Sequence, residues 1–159
     1  MENKEKNGSD QYTKFVLMLA VSFVAMYITM YFNSYELDHV YFSLTRFYMS
    51  CLGIAAMAII MFVAMRNMYK NKKKNIAIVL GSIVLFTTAL TLVRAQAPII
   101  GDVLWMKAMI PHHSIAILTS ERADIKDPEV KKLAEDIIKA QKKEIEEMKA
   151  MINRLENNK

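Results

Sequence analysis

Cysteine is almost missing from this 159-residue chain, which holds one, so no intrachain disulfide can form and a disulfide-stapled secreted fold is excluded. Cys51 lies inside an apolar run and reads as packing. Four glycines leave no phosphate-cradling loop, and neither a His-Glu-x-x-His zinc motif nor a nucleophile elbow is present. Disorder is excluded by a hydrophobic content of 53%, and more than one ordinary domain by the length. An excess of one charge is also lacking where a nucleic-acid binder needs it. Residues 101–159 carry eleven basic and eleven acidic side chains, whereas residues 1–100 carry ten Lys/Arg against five Asp/Glu. The whole net charge of +5 therefore sits beside apolar runs, the pattern of membrane orientation rather than of nucleic-acid contact.

Charge is absent altogether from three stretches, residues 15–31, 47–65 and 76–93. At 1.5 Å per residue these reach roughly 26–28 Å, close to the ~30 Å hydrocarbon core of a bilayer. The first is long for a signal-peptide core and lacks a small-x-small cleavage site, so it reads as a retained helix. The sequence thus divides into a cytoplasmic tail (1–13), transmembrane helices over 14–32, 47–65 and 76–93, and an outer helical domain over 101–156. Lys4, Lys6 and Lys14, and then Arg66, Lys70, Lys72, Lys73 and Lys74, place the N-terminus and the second connection on the cytoplasmic side. Three crossings put everything after Arg94 outside a cytoplasmic (inner) membrane. Tyr27, Tyr31, Tyr35, Tyr41, Phe47 and Tyr48 read as an aromatic belt at the outer interface.

Beyond the break at Pro98 and Gly101 the helical period resumes at Asp102 and runs to about Ser120. Asp127-Pro128-Glu129 is a restart signal, with Asp as N-cap, Pro at the first helical position and Glu in the first turn. The helix it opens carries a seam of Ile138, Gln141, Ile145, Met148, Ile152 and Leu155, with polar Gln141 the odd member. The fold class expected is all-α: three transmembrane helices followed by an extracytoplasmic hairpin. A hairpin this small buries little apolar surface, so dimerisation into a four-helix bundle, or packing on the membrane part, is its natural completion.

Chemistry concentrates in Trp105-Met106-Lys107-Ala108-Met109-Ile110-Pro111-His112-His113. On a helix Met106, Met109 and His113 share one face, and His112 flanks Met109. Adjacent histidines diverge, and Pro111 offers a kink to bring them together. A symmetrical turn near Asp124 sets Met109 opposite Gln141, His113 opposite Ile137 and Asp102 opposite Met148, with Glu144 near Met106. Thioether plus imidazole is a soft-to-borderline ligand set, favouring copper, Cu(I) above all. Zinc comes second, because thioethers bind it poorly and no Cys is at hand. The competing reading is a structural helix with surface histidines and methionine as seam filler.

Asp102-Val-Leu-Trp105-Met-Lys-Ala-Met109-Ile110-Pro111-His112-His113, followed by Asp127-Pro128-Glu129-Val130, Leu133-Ala134, Ile137-Ile138, Gln141, Glu144-Ile145 and Met148, resembles the family catalogued as domain of unknown function 305. The resemblance spans residues 102–155 and none of the three apolar runs. It implies a ferritin-like, exported or membrane-tethered bundle associated with copper binding and resistance. By position it implies Met109, His112 and His113 as ligands, with Asp102 and Met148 in secondary places. The family usually has Gln after the His pair and Met about a turn later, where this chain has Ser114 and Thr119. It also usually has Phe where Trp105 stands.

Enzyme readings find no support, since no Glu stands three residues before His112 or His113 as a di-iron bundle requires. Met57, Met61, Met65 and Met68 form a stripe that reads as ordinary apolar filler. His39, alone on a polar loop, reads as solvated. The partners expected are the lipid bilayer, a metal ion and a second copy of the chain. The alternative function is a membrane-anchored helical interaction module without a metal role.

Overall fold

The computed structural model describes residues 2–96 and 99–157, with side chains from Asp10 onward. Among the described residues every regular element is helical: α1 (Glu2–Thr29), α2 (Leu44–Ala64), α3 (Lys72–Ala95), α4 (Asp102–Arg122) and α5 (Pro128–Asn157), with single 3₁₀ turns at Leu37–His39 and Arg66–Met68. Two compact units result, one built from α1–α3 and the other from residues 29–45 together with α4 and α5.

In the first unit, Asp10–Thr29, Leu44–Ala64 and Lys72–Ala95 are each long and apolar enough to cross a bilayer, matching the three charge-free runs. The segment expected as a tail is helical from Glu2, so α1 continues past the apolar run. Val16, Leu17, Val21 and Val24 of α1 and Ile76, Leu80 and Val84 of α3 are exposed. Apolar surface this extensive is costly in water and suits lipid, consistent with a membrane protein. Where the polar segments meet α1, the Tyr12 hydroxyl donates to Asn75 Oδ1 at 2.6 Å and accepts from the Asn71 N–H at 3.1 Å. Asn71 caps α3 in turn by accepting from the Lys74 N–H. Tyr12, Phe15, Ala58 and Tyr69 are buried together, with Met61 and Met65 against them, whereas Met57 and Met68 are exposed; the methionine stripe behaves as filler. Gly53 lets α1 and α2 approach closely: a Cβ there would lie 3.0 Å from the Met26 Sδ and Cε, and the flexible end of that side chain would have to move.

The second unit begins from its caps. Asp127 Oδ1 accepts from the Glu129 and Val130 N–H groups at 2.9 and 3.0 Å, so α5 starts at Pro128 as its restart signal predicts. α4 starts at Asp102 and runs unbroken through Pro111; Pro98 lies outside the described residues. Its core joins Met106, Ile110 and Ile117 of α4 to Ile145, Met148 and Ile152 of α5, with Ile138 and Leu155 packed alongside. The expected seam is therefore the buried stripe, and Gln141 within it is half-buried. The register differs from the symmetrical one. His113 faces Glu144 rather than Ile137, seven residues or about two turns further along α5. The cause is the connection: Ala123 is extended, so the chain travels before α5 begins instead of reversing in a tight turn.

Residues 29–45 lie across this hairpin. Tyr35 and Tyr41, read in sequence as interfacial aromatics, pack against the hairpin core. The Ser114 hydroxyl, 0% exposed, accepts the Tyr35 N–H at 2.7 Å. The Lys142 ammonium stands 5.3 Å from the Tyr35 ring centroid. Lys149 reaches Asp38 at 2.6 Å, and the Tyr31 hydroxyl accepts from the Ser43 N–H within the loop itself.

Two outcomes follow from this packing. Ile145→Ala removes a side chain that is 1% exposed between α4 and α5, and lowers stability by about 2–5 kcal/mol in denaturant unfolding of the second unit. Ser114→Ala keeps the helix but leaves the Tyr35 N–H without its acceptor, costing about 1–3 kcal/mol locally. Hydrogen exchange of residues 34–40 accelerates while that of α5 is unchanged; equal protection in both proteins would show that Ser114 does not hold the loop.

Candidate metal centre

The sequence-marked residues lie on α4 and on the facing part of α5, at different depths. Met106 and Met148 are 4% and 5% exposed and share one apolar cluster, whereas Asp102 is exposed at the start of α4. Met109 is half-buried against that cluster. His112 is exposed and His113 mostly buried, with ring centroids 6.1 Å apart and planes at 58°. Pro111, itself buried within the continuous helix, does not bring the two rings onto one face. The structure thus places Met106, Met109 and His113 on the inner side of α4, with Met148 of α5 in the same apolar cluster as Met106, and leaves His112 and Asp102 outside.

His113 is the most unusual group of the set. Its Nδ1 is buried without a hydrogen bond, although Glu144 Oε2 lies 3.1 Å away. Distance is satisfied there and direction is not, since a ring N–H bonds along its own axis. Burial pushes the imidazolium below its ordinary range; Glu144 opposes this shift and His112 adds to it. Burial therefore favours the neutral ring, the form that ligates metals. A buried nitrogen with a free direction, beside thioether-bearing residues, fits a soft or borderline cation.

A second group was set aside in sequence as solvated, and the structure corrects that reading. His39 is 5% exposed, with Nδ1 3.0 Å from Ser114 Oγ. Its Nε2 faces Asp38 Oδ1 at 3.7 Å and Glu36 Oε2 at 3.8 Å. Among the described residues these three form the one cluster of His, Cys, Asp and Glu with ligand atoms all within 4.8 Å of one another. The sequence signal was the Glu36-x-Asp38-His39 spacing itself; what it lacked was any sign that α4 covers the ring.

Comparison with known proteins extends the family likeness beyond the expected residues 102–155 and into the end of α3, so it does include part of the third apolar run. Residues 88–159 match the family described as Domain of unknown function (DUF305). The protein named "Uncharacterized protein L153" from Acanthamoeba polyphaga mimivirus is 34% identical over 141 residues, covering 87% of this chain and 90% of the viral protein. That alignment is too long to be confined to residues 101–159, so the likeness includes most of the apolar helices as well. No solved structure matches the chain significantly. On the matched domain and this near-full-length relative together, the chain belongs to the DUF305 family, whose domain forms its C-terminal part.

Proposed function

We propose that this is a multi-pass membrane protein of the cytoplasmic membrane, N-terminus inside, whose extracytoplasmic α4–α5 unit binds copper through methionine and histidine for sequestration, delivery or resistance. The observation that carries the reading is the His113 imidazole, mostly buried on the same side of α4 as Met106 and Met109, with an Nδ1 that makes no aligned hydrogen bond although Glu144 Oε2 lies 3.1 Å away. Met109 on the same helix supplies a thioether, and His112 a second imidazole at the solvent edge. Met106 and Met148 stand behind them in the core, and Asp102 is a peripheral carboxylate. A ligand set of this softness favours Cu(I) over zinc. The topology has independent support. Residues 29–45 and α4–α5 form one unit, as they must if α2 and α3 each cross the bilayer once between them.

The hydroxyl–imidazole pair beside these residues, Ser114 with His39, is enclosed, with Ser114 0% and His39 5% exposed, which favours a binding role over a catalytic one. A second reading, a helical interaction or assembly module, draws on Trp105, Val130 and Leu133, which are 50%, 49% and 59% exposed on α4 and α5. A second copy of the chain is the natural partner for such a surface, in the manner of a four-helix bundle.

Titration of the full chain in lipid nanodiscs with Cu(I), buffered by a competing chelator, separates the two. Free copper at a hundredfold excess over Kd raises the stability of the second unit by about 2.7 kcal/mol. His112→Ala with His113→Ala weakens binding by more than about tenfold at unchanged helicity. Full affinity in the double variant, or no copper-dependent stabilisation of the wild type, would sink the metal reading in favour of the interaction module.

A further inference from the structure

The loop between α1 and α2 holds ligand-type groups that the α4 methionine–histidine set does not use. We infer that Glu36, Asp38 and His39 form a separate site for a divalent borderline cation, of the Zn²⁺ or Cu²⁺ class. This inference stands apart from the copper reading above and shares no ligand with it.

The imidazole comes first. His39 is nine-tenths buried, yet its Nε2 has no partner at hydrogen-bond distance; the nearest acceptors are the carboxylate oxygens at 3.7 and 3.8 Å. Its other nitrogen is occupied by Ser114 Oγ at 3.0 Å. When Nδ1–H donates to Ser114, the Nε2 lone pair points at the two carboxylates, the arrangement by which an outer hydroxyl or carbonyl fixes the tautomer of a ligating histidine. Ser114 is itself fully buried and fixed by the Tyr35 N–H, so the ring cannot turn away.

The separations suit an ion better than a direct contact. Metal–ligand bonds of about 2.0–2.2 Å in a tetrahedron put neighbouring ligand atoms roughly 3.3–3.5 Å apart. The observed 3.7 and 3.8 Å need only a few tenths of an ångström of closure, which the exposed carboxylates of Glu36 and Asp38 can supply by side-chain rotation. Charge agrees as well. One neutral imidazole and two carboxylates balance a divalent ion, and a water completes four-coordination. Lys149 donates to Asp38 Oδ2 at 2.6 Å, leaving Oδ1 toward His39. An N/O donor set without thioether or thiolate excludes Cu(I) as the preferred occupant and accepts Zn²⁺ or, more tightly, Cu²⁺.

Zinc titration of the full chain in nanodiscs, with bound metal counted by equilibrium dialysis, tests the assignment, and Cu²⁺ is run in parallel. Glu36 is exposed, so Glu36→Gln preserves the fold while removing one ligand. Its Zn²⁺ affinity falls at least about tenfold, or the stoichiometry drops by one per chain. His39→Gln gives the same loss, and His112→Ala with His113→Ala keeps the loop equivalent. Unchanged Zn²⁺ and Cu²⁺ binding in Glu36→Gln overturns the site. So does loss of all Zn²⁺ uptake in the double histidine variant while Glu36→Gln retains it, because the metal then belongs to α4. Zinc readings at the loop leave the Cu(I) test of α4 untouched, so failure of either assignment is recognisable by itself.

Discussion

A fully enclosed hydroxyl governs the second unit. Ser114 Oγ has no solvent to fall back on, and a polar atom in that position must find partners in the protein. Its partners are the Tyr35 N–H and His39 Nδ1, both on the loop between the first two apolar helices. Everything the loop does to the hairpin follows from that pair of contacts: Tyr35 and Tyr41 cover the hairpin core, Tyr35 lies beneath Lys142, and Asp38 comes within reach of Lys149. A two-helix hairpin short of apolar surface thereby gains a third layer from its own chain. Serine is short enough to be sealed beneath the docked Tyr35 backbone.

The inner and outer faces of α4 divide its chemistry. Met106, Ile110 and Ile117 are committed to the core, His112 to solvent, and His113 to the boundary between them. A boundary position is where an imidazole loses water without gaining a well-aligned partner, which is why burial dominates its protonation and Glu144 does not. Ligand sites need this combination of partial desolvation and incomplete satisfaction, because a histidine with both nitrogens bonded has nothing left to give a metal.

Local signals were legible in the residues themselves. The three charge-free runs correspond to helices, Asp127 caps α5, and Ile138, Ile145, Met148, Ile152 and Leu155 form the buried stripe. Periodicity and capping report on neighbours a few residues apart, so features set at that range are readable. The register of α4 on α5 depended on the path of residues 123–127, which no period encodes, and so His113 met Glu144 instead of Ile137. The burial of His39 depended on a contact 75 residues away, and an isolated polar loop gives no hint of it. Membrane-interface aromatics and core aromatics are the same residues in sequence, so Tyr35 and Tyr41 could be assigned only once α4 was seen beneath them.

The separation of these contacts along the chain also has a meaning in time. Residues 29–45 are made early, yet the groups that receive them are Ser114, at a distance of 75 and 79 residues, and Lys149, at a distance of 111. Closing such long loops carries an entropic cost that is recovered only when those partners are in place. During synthesis the loop therefore waits, with two tyrosines and a histidine uncovered, until α4 has emerged. The contacts to Ser114 become available once α4 is made, and the one from Lys149 to Asp38 is added only when most of α5 has followed.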